Sequence, residues 1–274
     1  MNNRHNRSST SHKRKFGRML RLLLVLLALS LTVGCDAVYE RPLDTTLTTT
    51  APSDIPTSVP STPKKRVAIT FDDGPRSYQS QTKKIVDELA KYGFTATFFV
   101  VGNRIENDGT LPYIDQHGCE IGIHAYTHTY DYANCSLENY TYEISQTASA
   151  IQGQLPGYPI KLMRPVGGSI TAERVSESPY ATILWDVDSN DWNNKYYAGI
   201  SDEEADAKVN TIVNNVMSNV SEGSIILLHD IYESTYDATK IILQRLYDEG
   251  YEVVSVSELL GDSLQAGQKY SRKS

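Results

Sequence analysis

From Arg66 to about Leu260 the chain alternates short apolar, β-favouring runs with amphipathic stretches of helical period. The runs at 66–71, 96–102, 119–124, 160–165, 181–188, 224–229 and 251–256 read as strands, because each is too short for a helix and rich in Val, Ile, Phe or Leu. Between them, Gln79–Tyr92 carries Ile85, Val86, Leu89 and Ala90 on one face, and Ser201–Val220 opens with the capping pair Ser201/Glu204. Gly93, Gly118, Gly223 and Gly250 stand where one element should stop and the next begin. A repeated strand–helix unit with about seven buried strands predicts an α/β fold. A distorted (β/α) barrel of parallel strands is the expectation, and a doubly wound open sheet is the alternative.

The two ends follow a different pattern. Residues 1–21 hold seven Lys or Arg and no acid, and Leu22–Val33 is then a twelve-residue apolar stretch before Gly34-Cys35. This is the layout of a signal peptide or lipoprotein leader over 1–35, too short to span a bilayer comfortably, with Cys35 as the candidate lipidation site. A Thr/Ser/Pro-rich linker occupies 36–64, the folded domain 65–262 and a polar tail 263–274. A secreted or membrane-anchored, extracytoplasmic protein is expected. Without the basic leader, 19 Lys and Arg face 33 acids, a net charge of −14, which argues against a nucleic-acid partner. Three cysteines decide little; Cys119 and Cys135 are free to pair if Cys35 is lipidated.

The chemistry collects where the apolar runs end. Val67–Phe71 leads straight into Asp72 and Asp73, then Gly74-Pro75. Two adjacent carboxylates repel, so a cation can hold one ionised while the other works as a base; the plainer reading is a turn. A second run ends at His124, and His128 follows four residues on, a spacing that lets both imidazoles meet one ion with Asp73 as third ligand. Three protein ligands leave the open position that a catalytic Zn²⁺ requires, and Co²⁺ or another divalent ion suits the same donors. Arg164 closes the run before Pro165-Val166-Gly167-Gly168, whose backbone N–H groups are candidates for an oxyanion. Both tryptophans and three Asp lie in Trp185–Trp192. The apolar run Ser224–Leu228 ends at His229, placed to titrate near neutral pH and donate a proton.

In this order and spacing, TFDDGP at 70–75, HAYTH at 124–128, RPVGG at 164–168, DSNDW at 188–192 and LLHD at 227–230 resemble the five motifs of the polysaccharide deacetylase family, carbohydrate esterase family 4. The resemblance covers about 66–260. It implies Asp72 as general base, Asp73, His124 and His128 as metal ligands, and His229 as general acid. Arg164 and Asp191 would orient the base and the acid, Gly167 would supply an oxyanion N–H, and Trp192 and Leu227 would wall the acetyl pocket. Two positions depart from the pattern. Val166 and Gly167 replace a usual Pro and aromatic, and Ala125 replaces the usual Ser or Thr after the first His, removing one hydrogen bond that supports the ligand loop.

The implied activity is removal of N-acetyl groups from a cell-surface polysaccharide, most simply peptidoglycan N-acetylglucosamine, by a monomer. An O-acetyl esterase, a chitin-oligosaccharide deacetylase and a non-catalytic wall-glycan-binding module are the rivals. Tyr126, Tyr130 and Tyr132, just past the ligand run, are candidates to stack on sugar rings.

Overall fold

The structure is a computed structural model, and it describes residues 65–76, 80–196 and 199–274. The leader with Cys35, the linker 36–64 and the start of the stretch at Gln79 lie outside the described residues. The strands are β1 Lys65–Asp72, β2 Thr97–Val101, β3 Glu120–Ala125, β4 Leu162–Met163, β5 Ala181–Ile183, β6 Val187–Asp188, β7 Ile225–His229, β8 Tyr251–Val254 and β9 Lys269–Tyr270. The α-helices are α1 Thr82–Lys91, α2 Thr110–Gln116, α3 Leu137–Gln154, α4 Ala172–Glu177, α5 Asp202–Met217, α6 Glu233–Asp248 and α7 Val256–Leu260.

The expected parallel barrel is the fold found. The nine strands form one sheet in the order β6-β7-β1-β2-β3-β4-β5-β9, with β8 beside the first half of β1, and every ladder is parallel. The run 181–188 was expected as one strand and is two: β6 ends the order on one side, and β5 lies next to last on the other, inside β9. Only Leu184, Trp185 and Asp186 separate them, so the sheet must curl until its two sides nearly meet. The segment expected as a polar tail is also part of the sheet. β9 pairs with β5, Thr182 with Lys269 and Ile183 with Tyr270, and Ser224 bridges to Arg272.

β1 shows why the sheet is read so readily: Val67 to Phe71 are all buried, as a strand flanked by partners and covered on its faces has to be. α1, α5 and α6 lay Ile85, Val86 and Leu89, then Val209, Ile212, Val213 and Val216, then Ile242, Leu243 and Leu246 against this core. Ala90, counted on the α1 face, is exposed. The Ser201 hydroxyl caps α5 by accepting from the Glu204 N–H at 3.2 Å. The helices return the chain to the same edge each time, so β1, β3, β4 and β7 all deliver their last residues there. Cys119 and Cys135 are free thiols, the first buried in the core and the second beside Arg174, whose guanidinium donates to its sulfur and its carbonyl.

Candidate active site

Asp72 and His229 are the last residues of β1 and β7, and the register sets them directly side by side. β2 and β3 pair with a one-residue slip: Val100 faces Ile123 and Val101 faces Ala125. His124 is therefore the extra residue of a bulge, a device that turns a side chain out of the regular alternation. Its Nδ1 lies 2.9 Å from the Arg164 carbonyl, which can only accept, so Nδ1 carries the proton and Nε2 offers its lone pair. That Nε2 faces Asp73 Oδ1 at 3.6 Å and Asp72 Oδ2 at 3.9 Å, and His128 Nε2 is 2.9 Å from Asp73 Oδ1.

Asp73, His124 and His128 form the one group of ligand-type side chains found converging among the described residues, with their donor atoms within 4.8 Å of each other. Asp73 Oδ1 is buried and accepts no well-angled hydrogen bond. A carboxylate oxygen left so, facing imidazole nitrogens, fits a divalent cation and little else. Burial disfavours the charge on Asp73, yet the His128 contact and the neighbouring His124 and His229 rings hold its carboxyl well below the usual range. Burial lowers the pKa of His124 against the pull of Asp72 and Asp73, keeping it a neutral ligand. Asp73 and His128 adopt φ of 79° and 61°, the left-handed region that residues other than Gly seldom occupy. Arg104 donates to the Asp73 carbonyl at 2.7 Å and helps hold it there. Gly74 cannot be enlarged, because a Cβ would meet the Asp230 carboxylate at 2.3 Å.

Arg164 is fully buried and crosses the barrel interior. Its Nη1 donates to Asp72 Oδ1 at 2.9 Å and to the Thr70 hydroxyl at 2.7 Å, and its Nε and Nη2 donate to the carbonyls of Ile183 and Leu184. The guanidinium also lies over the Phe99 ring, 4.3 Å from its centroid. Asp191, likewise buried, accepts from His229 Nδ1, the His229 backbone N–H and the Thr235 hydroxyl, each at 2.7 Å. Burial alone would lower the His229 pKa. The adjacent Asp191 charge and hydrogen bond outweigh it, followed by Asp72 and Asp73, and push it up to about 9.

Leu227 lies on the same face of β7 as His229 and is buried beneath it. Trp192 follows Asp191 and stands half-exposed at the rim. Gly167 turns the backbone with φ 61° at an exposed position, and nothing lies within 4 Å of where its Cβ would be. A side chain is thus opposed there by backbone conformation, not by lack of room. A cleft of about 810 Å³ opens beside this centre, lined by Arg76, Lys195, Tyr196 and Tyr232 among others. It adjoins the acid side of the site, since the Tyr232 ring lies 6.1 Å from that of His229, but the triad is not in its wall.

Sequence reasoning missed several supporting groups. Thr70, fully buried, donates to the Ile226 carbonyl at 2.6 Å and accepts from Arg164; its only signal is a hydroxyl inside an apolar run. Thr235 and Glu143 carry no signal beyond helical position. Tyr132, a candidate for sugar stacking, is buried, and its hydroxyl donates to the His124 carbonyl at 3.2 Å. It supports the ligand strand and cannot reach a sugar.

Comparison with known proteins places this arrangement. A family model described as Polysaccharide deacetylase matches residues 60–183. The chain is 36% identical over 197 residues to the peptidoglycan-N-acetylmuramic acid deacetylase PdaC of Bacillus subtilis, covering 72% of this chain but only 39% of that relative's length. A peptidoglycan-N-acetylglucosamine deacetylase of Bacillus cereus is 35% identical over 206 residues, covering 72% of this chain and 89% of the relative. Among solved structures, a family 4 acetyl xylan esterase from Clostridium thermocellum in complex with a cobalt ion superposes with a TM-score of 0.65 at 28% identity, covering 76% of this chain and 98% of that one.

Proposed function

Because this chain belongs to the polysaccharide deacetylase family, we propose that it hydrolyses N-acetyl groups on a cell-surface polysaccharide, with peptidoglycan N-acetylglucosamine as the preferred unit. The observation that carries this reading is the pairing of a carboxylate and an imidazole, each held by its own partner, beside one ligand triad. Asp72 is held by Arg164, and next to it in register stands His229, held by Asp191.

Asp73, His124 and His128 would hold a divalent ion, most simply Zn²⁺, which when bound would supply Lewis acidity toward the acetyl carbonyl and the attacking water. Asp72 takes the proton from the attacking water. Arg164 fixes its carboxylate, so the base points at one place. The Gly167 N–H meets the developing oxyanion as a backbone donor. His229 gives its proton to the departing nitrogen. An amide nitrogen leaves poorly as an anion, so a group already protonated at neutral pH suits an amide better than an ester, whose alkoxide leaves with less help. Leu227 and Trp192 receive the acetyl methyl. A wall polysaccharide outside the cytoplasm is consistent with the leader pattern of residues 1–35.

The pH dependence follows from His229. As the proton donor it is active below its pKa of about 9 and fails above it, so the alkaline limb of the rate profile belongs to this group. The Asp191–His229 pair also stabilises the fold, fully below the unfolded value of 6.5, with that contribution lost as pH rises through about 9. Asp191→Asn removes the charge but not the burial, so the alkaline limb is expected to move toward or below 6.5, read from acetate release against pH.

The substrate reading is tested by acetate release from N-acetylated peptidoglycan strands, acetylated xylan and chitin oligomers in parallel. Release mainly from the glycan amide supports it. Release from xylan alone makes the protein an esterase, and release from none, with the ion bound, favours a glycan-binding module.

A further inference from the structure

The two imidazoles of the triad are joined by only Ala125, Tyr126 and Thr127, and these three residues have to be immobile if both Nε2 atoms are to converge on one point. The connection is not relaxed by itself, because His128 stands at φ 61°. Ala125 brings no hydrogen-bonding side chain to it. The carboxylate that holds it comes from another element, Glu143 on α3. One oxygen accepts the Tyr126 and Thr127 N–H groups at 2.7 and 2.8 Å, and the other accepts the Thr127 hydroxyl at 2.5 Å.

Glu143 is completely buried, and among the described residues no Lys, Arg or His forms an ion pair with it. A carboxylate without a countercharge is unfavourable inside a protein unless donors compensate it, and here all three donors belong to the ligand connection. Two successive N–H groups aimed at one oxygen form a small anion nest, so the loop is shaped around the carboxylate. Within α3 the Thr147 hydroxyl donates back to the Glu143 carbonyl at 2.8 Å.

We propose that Glu143 is a positioning residue of the metal centre: its buried carboxylate fixes residues 126–127 so that His128, held in the left-handed region, presents Nε2 beside His124 and Asp73. This rests on the metal reading of the triad. Gln is close to Glu in shape but uncharged: its oxygen can still accept the two N–H groups, while its amide nitrogen can only donate, so the Thr127 hydroxyl must turn from donor to acceptor and every bond to the connection loses its charge assistance.

The test is zinc affinity of the full chain, measured by competition with a chromophoric chelator. Glu143→Gln is expected to raise the dissociation constant by about 10–100-fold, the range seen when groups supporting metal ligands are removed. Acetate release should fall in parallel at limiting zinc and return at saturating zinc with KM for the glycan unchanged. Thr127→Val, which removes only the hydroxyl bond, should weaken binding by less, and it carries the test if the Gln variant does not fold. A folded variant that binds zinc within twofold of the parent, or a rate loss that saturating zinc does not restore, overturns the proposal. A parent chain that binds no divalent ion overturns it together with the metal reading, and is told apart because the failure then precedes any substitution.

Discussion

Asp72→Asn is expected to lower the rate of acetate release by about 10²–10⁴-fold, the usual contribution of a positioned acid or base, while zinc affinity changes little. The reason lies in the division of labour between neighbours. Asp73 Oδ1 approaches both imidazoles, at 2.9 and 3.6 Å, whereas Asp72 Oδ1 is taken up by Arg164 at 2.9 Å and only its Oδ2 turns toward His124, at 3.9 Å. Asn keeps the size and an acceptor but cannot take a proton from water. KM should stay near the parent value, because nothing that binds the glycan has been removed. Zinc affinity lost in Asp72→Asn but retained in Asp73→Asn would show that the two roles had been assigned the wrong way round.

Arg164→Ala is expected to destabilise the fold by about 3–5 kcal/mol, the penalty for breaking a buried ion pair from one side. For a domain of this size that lowers Tm by roughly 10 °C. Four acceptors depend on the guanidinium: Asp72 Oδ1, the Thr70 hydroxyl and the carbonyls of Ile183 and Leu184. All lie inside the curled sheet, where water cannot easily replace it. Arg164→Lys should recover only part of the loss, since one ammonium cannot span β1 and the end of β5 at once. If both partners are replaced, Asp72 by Leu and Arg164 by Met, the loss should be smaller than the sum of the single changes, and thermal unfolding of the four proteins measures it. Strict additivity would mean that the pair is not coupled.

How much of this the sequence discloses depends on the kind of interaction. Parallel strands buried on both faces leave apolar runs that are hard to miss, and a polar, ionisable residue ending such a run, as Asp72, His124, Arg164 and His229 do, is conspicuous against it. The division of 181–188 is invisible because the crossing at Leu184–Asp186 carries neither Gly nor Pro and continues the apolar pattern. β9 is hidden for a related reason: it is held by backbone hydrogen bonds, among them Thr182 N–H to the Gln268 carbonyl at 2.8 Å and Leu184 N–H to the Tyr270 carbonyl at 2.7 Å, which ask nothing of residue type. Glu143 and Thr235 look like ordinary helical polar residues, since what distinguishes them is the group they face across a long separation in sequence. Tyr132 was misread because an aromatic beside a ligand run suggests a sugar platform, whereas burial turned it inward.

On the proposed function, one divalent ion held by Asp73, His124 and His128 is required for removal of N-acetyl groups from a wall glycan. The direct measurement is acetate release from N-acetylated peptidoglycan by chelator-treated protein and by the same protein reloaded with one equivalent of zinc. No release is expected from the stripped protein, and recovery at one ion per chain, with His128→Ala failing to recover. Undiminished release from the stripped protein would contradict that requirement.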